Sequence, residues 1–351
     1  MRLVAAVASL LMVFAQGAAV LAQQPPPADD VASRLRELAA DQADLQHRFD
    51  ELAKAVDDLA WFARLGDIAV VEKWRIYGPP DANPAKPKAP GAGNEIKFYT
   101  YTFVPRQAGG TESLPVLVLS HGGVHGDFDT YYVNIVREMV TQGYIVVAPD
   151  FRGSTGYGRG FYRLIDYGGR EVDDVHAAME FALATIPRAD PRRVGLIGWS
   201  HGGMISLLEA FAHPEQYACA FAGVPVSDLV ARLGYSDDEY RELFSAPYHI
   251  GADVRDDIAE YRRRSPVTHA HKLAIPLLVH TNTSDEDVNV LEVEHLIAAL
   301  KAAGKTFEYK IFDKAPGGHG FDRMDTPEAR KIRRDIYAFL SRHLKPPRSL
   351  P

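Results

Sequence analysis

The sequence predicts an α/β protein in which a mostly parallel central sheet carries helices on both faces, preceded by one long amino-terminal helix. From residue 114 onward, short continuous apolar runs alternate with segments of helical periodicity. Continuous apolar runs are typical of strands buried on both faces, and their alternation with helices indicates a parallel sheet. A heptad spacing of apolar residues before residue 66 predicts the leading helix.

Eight segments have the length and apolar content of strands. The predicted strands span 71–77, 96–103, 114–119, 144–148, 194–197, 218–222, 277–280 and 307–312. We expect the first of them at an edge of the sheet, and a loop rich in Pro, Ala, Gly and Lys follows it. The helices predicted among the later strands span 131–142, 172–185, 202–212, 291–303 and 326–343.

The charged, tyrosine-rich stretch 228–264 interrupts the alternation of strands and helices. We therefore predict a catalytic domain at 68–346 with an insertion at this place. Two interpretations of the insertion remain open, a cap over a substrate site and a pair of solvated surface helices.

The first 22 residues have the order of a secretory signal peptide. Arg2 precedes an apolar run, and small residues lead up to Ala22. Gln16 and Gly17 leave the run shorter than the roughly 20 residues that span a membrane, so we expect cleavage after Ala22 and no stable membrane insertion afterwards. The single cysteine, Cys219, excludes a disulfide within one chain, and the pattern suits a bacterial protein that is periplasmic or secreted.

Residues 23–67 contain a row of apolar side chains spaced alternately by four and three, with Gln42 as its one polar member. The apolar members are Val31, Leu35, Leu38, Leu45, Phe49, Leu52, Val56 and Leu59. This spacing is a heptad pattern over about four repeats, with Gln42 at an a or d position. Either the helix forms a coiled-coil homodimer, or it is an amphipathic helix packed on its own catalytic domain.

Charge argues against a nucleic-acid partner. The chain has 39 basic and 46 acidic side chains, a formal net charge of -7, and no basic run longer than Arg262 to Arg264. Nucleic-acid-binding surfaces require a concentration of positive charge that this composition lacks.

The sharpest local signal is Gly198-Trp199-Ser200-His201-Gly202, placed between a predicted strand and a predicted helix. A G-x-S-x-G pattern at that junction indicates a sharp, strained turn that exposes the serine hydroxyl at the positive end of a helix. We predict that Ser200 is a nucleophile.

A serine hydroxyl needs a base to take its proton and an acid to hold that base in one tautomer. His319 is the predicted base, because it lies in a glycine-rich loop after the last predicted strand. Asp285 is the preferred acid and Asp287 the alternative, since both follow the carboxyl end of strand 277–280.

The oxyanion formed in acyl transfer needs preorganised hydrogen-bond donors. We expect one from the backbone N–H of His201 and another from the loop His121-Gly122-Gly123, which follows strand 114–119. A metal set drawn from His269, His271, His280 and Asp285 has no His-Glu-x-x-His spacing and straddles a strand, so we predict no metal there.

Several blocks together resemble the catalytic domain of the prolyl oligopeptidase family, from about residue 114 to 344. They are His121-Gly-Gly123, the block 149–158, the block 198–203, Ser265-Pro266, Asp285-x-x-Val288 and Gly318-His-Gly-Phe321. The resemblance implies an α/β-hydrolase fold, a triad of Ser200, Asp285 and His319, and no cofactor. Larger members carry an amino-terminal β-propeller, whereas here only the helix and two strands precede the resemblance. One extra residue before Asp285 and Val124 in place of proline also depart from the family pattern.

This resemblance predicts a serine peptidase or aminoacyl hydrolase that acts on short peptides through an acyl-enzyme. The alternative is a carboxylesterase for small acyl or feruloyl esters, since both reactions use the same triad. A third interpretation, a catalytically inactive interaction module, is disfavoured by the intact serine, acid and histidine.

Overall fold

The computed structural model describes residues 28–81, 88, 91–106 and 112–348. The predicted signal peptide, 1–22, lies outside them, so export and the domain boundaries stay predictions. The described residues divide into two compact units, one that ends at Gln46 and one that begins at His47. Helix α1 (Ala28–Leu65) begins in the first unit and ends in the second. No helix in the described ranges combines the length and the apolar character needed to cross a membrane.

Eight strands form one sheet in the order β1-β2-β4-β3-β5-β6-β7-β8. The pairs β1–β2 and β2–β4 are antiparallel, whereas all other neighbours are parallel. The strands are β1 (Ala69–Pro80), β2 (Glu95–Pro105), β3 (Leu114–Ser120), β4 (Ile145–Asp150), β5 (Ala189–Trp199), β6 (Cys219–Gly223), β7 (Leu277–Asn282) and β8 (Glu308–Phe312). This confirms the predicted fold class and the edge position of β1.

Further α-helices follow α1, and the longer ones cover the two faces of this sheet. They are α2 (Val133–Gln142), α3 (Gly158–Tyr162), α4 (Arg170–Thr185), α5 (His201–Ala212), α6 (Leu229–Tyr235), α7 (Asp238–Ser245), α8 (Ile258–Arg264), α9 (Val290–Ala302) and α10 (Pro327–Leu344). All five helices predicted in this region are present. The prediction missed α3 and the first part of β5, because Gly158–Tyr162 is a single short turn and the start of β5 is charged and partly exposed.

The core has one layer on each face of the sheet, because successive strand residues point to opposite sides. In β3, Val116 and Val118 belong to the layer under α4, α5 and α9, whereas Leu117 and Leu119 belong to the layer under α2 and α10. All four are fully buried. Both faces of β3 are therefore apolar, as the continuous hydrophobic run predicted.

The carboxyl-terminal part of α1 belongs to the second layer, but through a different face from the heptad row. Trp61 and Leu65 are fully buried in that layer. The apolar side chains of the row, from Val31 to Leu59, are 40 to 72% exposed. Helix α1 therefore packs on the catalytic domain at its carboxyl end, through Trp61 and Leu65, which lie off the heptad row. The coiled-coil homodimer stays a prediction.

A buried cation also holds α1 to the sheet. Lys54 is 3% exposed, and its Nζ donates to the carbonyl oxygen of Phe128 at 2.5 Å. It lies 3.3 Å from carboxylate oxygens of both Asp127 and Asp150. Burial lowers the pKa of Lys54, but the surrounding carboxylates outweigh burial and raise the pKa above its usual value. The lysine stays charged, which keeps the fully buried Asp150 compensated.

Substitution of Trp61 tests how much the packing of the carboxyl-terminal part of α1 stabilises the protein. Its ring stacks on Phe128 with centroids 4.8 Å apart. We expect Trp61→Ala to lower the free energy of unfolding by about 3 to 5 kcal/mol, because it leaves a large cavity. Phe62→Ala is the matched control: Phe62 is 48% exposed, and its loss should cost no more than roughly 0.5 kcal/mol. Urea unfolding measures both; equal effects would contradict the assigned packing.

Candidate active site

The predicted catalytic residues lie at one edge of the sheet, where the parallel strands end. Ser200 follows β5, Asp285 follows β7 and His319 lies in the loop after β8. The loop His121-Gly122-Gly123 follows β3, the neighbour of β5. Sites on open parallel sheets assemble at this edge because the loops that leave the strands meet there.

Ser200 occupies a strained turn between β5 and α5. Its backbone has φ 58° and ψ −124°, a region that L-residues rarely adopt. A Cβ at Gly198 would lie 2.2 Å from the carbonyl oxygen of Gly202, and a Cβ at Gly202 would lie 2.0 Å from that of Ser120. The spacing of the two glycines is therefore a steric requirement of the turn.

Backbone hydrogen bonds from the segment after β6 support the same turn. The N–H of Ser200 donates to the carbonyl oxygen of Gly223 at 2.9 Å, and the N–H of Val226 donates to that of Ser200 at 3.2 Å. Between them, Val224 has φ 39°, which is strained for a β-branched residue. The nucleophile turn and the β6 loop thus form one rigid unit.

Asp285 and His319 are in direct contact. The Nδ1 of His319 lies 2.8 Å from Oδ2 and 3.0 Å from Oδ1 of Asp285. Oδ1 also accepts from the N–H groups of Asp287 and Val288, at 2.9 and 2.8 Å. The Asp285 side chain is fully buried, so its carboxylate is held where it keeps a proton on Nδ1 and leaves Nε2 to act as a base.

The alternative acid, Asp287, lies on the other side of the imidazole. Its Oδ2 is 3.7 Å from Nε2 of His319, and its side chain is 50% exposed. Its Oδ1 accepts from Arg232 at 2.8 Å, and Arg232 belongs to α6, in the stretch that sequence analysis predicted as an insertion. The geometry therefore assigns the orienting contact to Asp285 and leaves Asp287 on the reacting side.

Ser200 and His319 are not hydrogen-bonded to each other within 3.5 Å in the described chain; the close carboxylate contacts of His319 are those to Asp285. The serine is 6% exposed and the His319 side chain 17% exposed. Serine–histidine contacts in unliganded hydrolases are often long and shorten when substrate binds. The catalytic roles of the three residues stay predictions.

The β3 loop reaches the nucleophile, but not all its N–H groups are free. A Cβ built on Gly122 would lie 3.3 Å from Cβ of Ser200, which shows how near this backbone approaches. The N–H of Gly122 donates to the hydroxyl oxygen of Tyr132 at 3.1 Å, so it is already engaged. Burial raises the pKa of Tyr132, so the phenol stays protonated and its O–H can itself donate.

Two other residues predicted for the oxyanion hole, His121 and His201, have different surroundings. His121 is a buried side chain whose Nε2 lies 3.0 Å from Oγ of Ser154, and burial lowers its pKa. It supports the loop rather than facing substrate. The N–H of His201 is at the start of α5, where helix N–H groups have no partner within the helix.

The side chain of His201 is clamped, which keeps the start of α5 in place. Its Nδ1 lies 3.0 Å from the carbonyl oxygen of Gly123 and its Nε2 lies 3.2 Å from Oε1 of Glu171. Glu171 is fully buried and also accepts from the N–H of Gly169 at 3.1 Å. These contacts tie α4, the β3 loop and α5 together beside the nucleophile.

Sequence reasoning missed three residues that support the site, Tyr132, Glu171 and Asp322. The fully buried Asp322 accepts from Nε1 of Trp199 at 2.8 Å and so links the histidine loop to the nucleophile turn. Asp322 follows the Gly318-His-Gly-Phe321 block directly, and Trp199 is one of the two variable residues of the G-x-S-x-G pattern. The spacing of these two residues in the sequence does not indicate that their side chains are in contact.

Substitution of Asp285 and substitution of Asp287 should affect the reactivity of Ser200 to very different extents. Asp285→Asn should slow phosphonylation of Ser200 by a fluorophosphonate probe, in which fluoride leaves, by about 10⁴-fold, because the amide favours the wrong imidazole tautomer. Asp287→Asn is the matched control, and we expect it to stay within about 10-fold of the wild type, since it makes no contact with Nδ1. Labelling rates followed by mass spectrometry measure both, and a larger loss for Asp287→Asn would reverse the assignment.

Comparison with known proteins gives consistent relatives. The uncharacterized peptidase YuxL of Bacillus subtilis (strain 168) is 30% identical over 243 residues, which are 68% of this chain and 36% of YuxL. The acylamino-acid-releasing enzyme of Mus musculus is 24% identical over 270 residues, 76% of this chain and 35% of that enzyme. The chain therefore spans about a third of the length of these relatives.

A solved structure has the same fold. The uncomplexed acylaminoacyl peptidase of Pyrococcus horikoshii superposes with a TM-score of 0.66 at 23% identity, over 79% of this chain and 42% of that one. The predicted α/β-hydrolase fold is confirmed. The sequence model of the prolyl oligopeptidase family matches residues 131–347. Since that match covers more than half of the chain and includes Ser200, Asp285 and His319, the chain belongs to the prolyl oligopeptidase family.

Proposed function

We propose that this chain is a serine peptidase that hydrolyses short peptides or acylated amino acids through an acyl-enzyme on Ser200. The observation that carries the proposal is the contact of His319 Nδ1 with both oxygens of a fully buried Asp285. This contact lies at the same sheet edge as a serine in a strained turn. Membership of a peptidase family and the name of the mouse relative support an amide substrate.

In the proposed reaction, Oγ of Ser200 attacks the substrate carbonyl while Nε2 of His319 takes the hydroxyl proton. Asp285 stabilises the imidazolium that forms. The carbon–nitrogen bond then breaks as His319 returns the proton to the leaving amine, and the acyl group remains on Ser200. Water, deprotonated by His319, releases the acid and restores the serine.

The negative oxygen of each tetrahedral intermediate needs donors on one side of Ser200. The N–H of His201 is one proposed donor, at the positive end of a helix. Because the Gly122 N–H already donates to Tyr132, we propose that the Gly123 N–H or the Tyr132 hydroxyl is the second. One such donor contributes about 10² to 10³ in rate in a serine peptidase.

Amide and ester substrates that carry the same acyl group distinguish a peptidase from an esterase. We expect purified protein to cleave acylaminoacyl p-nitroanilides as well as the corresponding p-nitrophenyl esters, and Ser200→Ala to abolish both. Absorbance at the p-nitroaniline and p-nitrophenolate bands measures turnover. Ser341→Ala, a serine near the end of α10, is the control and should match the wild type. Ester cleavage with no amide cleavage would overturn the peptidase proposal.

We also propose that α1 joins two copies of the chain. Eight large apolar side chains of its heptad row are 40 to 72% exposed, and burying each fully is worth about 1.5 to 3 kcal/mol. The row repeats in threes and fours with Gln42 at one position, as in two-stranded coiled coils. A second copy is the proposed occupant, because a two-fold axis sets the same row against itself.

Charged substitutions on the row test this homodimer. We expect size-exclusion chromatography with light scattering to give twice the chain mass for the wild type. The double variant Leu45→Glu/Leu52→Glu should give the single-chain mass, because it places charge in the proposed seam. Arg36→Glu alters an exposed position off the row and should leave the mass unchanged. A monomeric wild type would remove the proposal.

A further inference from the structure

Helices α4 and α5 pack against each other and bring together two pairs of metal-ligating side chains. On α4, His176 and Glu180 are four residues apart; on α5 and just after it, Glu209 and His213 are also four apart. Residues at this spacing lie on the same face of a helix. Of these four side chains, His176, Glu209 and His213 come together between the two helices.

The ligand atoms are close enough for one ion. Nδ1 of His176 lies 3.1 Å from Oε2 of Glu209. The ring centroids of His176 and His213 are 4.0 Å apart, with the ring planes tilted by 31°. One donor atom from each of these three residues lies within 4.8 Å of the others. Donors bound to one tetrahedral zinc at about 2.0 to 2.2 Å lie roughly 3.3 Å apart, so modest side-chain rotation closes the set.

Glu209 has an oxygen that the protein leaves unsatisfied. Its side chain is fully buried, and Oε2 accepts from the Tyr217 hydroxyl at 2.6 Å. Oε1 has no hydrogen-bond partner among the residues that the structure describes. Such an oxygen is costly when buried, and it marks a place where a cation would be stabilised.

We propose that His176, Glu209 and His213 bind one Zn²⁺ ion, with water as the fourth ligand. Two imidazoles and a carboxylate are a common zinc set, and the hydrogen bond from Tyr217 is the kind that orients a ligating carboxylate. Glu180 lies at the other ring nitrogen of His176, with its Oε1 3.7 Å from Nε2, and so is not part of the set. None of these ligands belongs to the set His269, His271, His280 and Asp285, for which the sequence predicted no metal.

The proposed ion would stabilise the helix that carries the nucleophile turn. Glu209 is nine residues after Ser200, about 13 Å along α5 at 1.5 Å per residue. The ion is therefore too far away to touch a substrate bound at Ser200. Its effect is to clamp α4 to α5, the two helices that also meet through Glu171 and His201.

The test is metal binding by the full chain, with a readout that does not depend on activity. Chelator-treated protein is equilibrated with Zn²⁺, freed of unbound metal, and measured for zinc content and thermal midpoint. We expect about one zinc per chain and a raised midpoint for the wild type, and loss of both in His176→Ala and in His213→Ala. His271→Ala, an exposed histidine elsewhere, is the matched control and should keep both.

Tyr217→Phe separates a metal site from a histidine–glutamate ion pair. It keeps all three ligands and removes only the outer hydrogen bond, so zinc affinity should fall by about 10- to 100-fold. Co²⁺ in place of zinc should give visible absorption bands that disappear in His176→Ala. No zinc on the wild type, or equal zinc on the wild type and both histidine variants, would overturn the proposal.

Discussion

Backbone packs directly on backbone where β5 ends, and the site is assembled around that contact. The Cα of Gly202 is so near the carbonyl oxygen of Ser120 that a Cβ would lie 2.0 Å from it. This approach joins the end of β3 to the start of α5 and forces Ser200 to φ 58°. The strain persists because hydrogen bonds to Gly223 and from Val226 over-determine the turn.

Buried polar contacts then bring the other loops to the nucleophile. Asp322 accepts from Trp199, the residue before the serine, and lies three residues after His319. The position of the imidazole is thus coupled to that of the serine. On the other side, His201 is held between Gly123 and Glu171. The histidine loop and the β3 loop are each tied to the turn by such a contact, and Asp285 is tied to the histidine loop. The geometry is therefore preorganised before substrate binds.

The two aspartates after β7 illustrate what sequence spacing could not decide. Both follow the same strand and are two residues apart, so either could reach the histidine loop. The backbone of this loop folds back so that the N–H groups of Asp287 and Val288 donate to Asp285. These bonds bury the Asp285 carboxylate against Nδ1 and leave Asp287 on the Nε2 side, where it accepts from Arg232. A local loop conformation, rather than residue type, makes the choice.

For helix α1 as well, sequence spacing predicted some features and tertiary contacts decided others. Periodicity predicted both the helix and its apolar row, because helical spacing is a property of the local sequence. Which face packs on the catalytic domain depended on partners far along the chain. Trp61 fits against Phe128 and Phe103, and Lys54 is compensated by Asp127 and Asp150. The heptad spacing within α1 does not indicate that Lys54 contacts those carboxylates.

The sequence by itself determined the strands, the main helices and the elbow at Ser200, because apolar periodicity and glycine sterics act over a few residues. It also narrowed the acid to two neighbours and selected His319 by its loop. Only the tertiary structure decided which aspartate touches the imidazole, and that Tyr132 already engages the Gly122 N–H. It alone brought Glu209 beside His176 and His213. Such contacts join residues from separate elements, and their distances depend on how whole helices and strands pack.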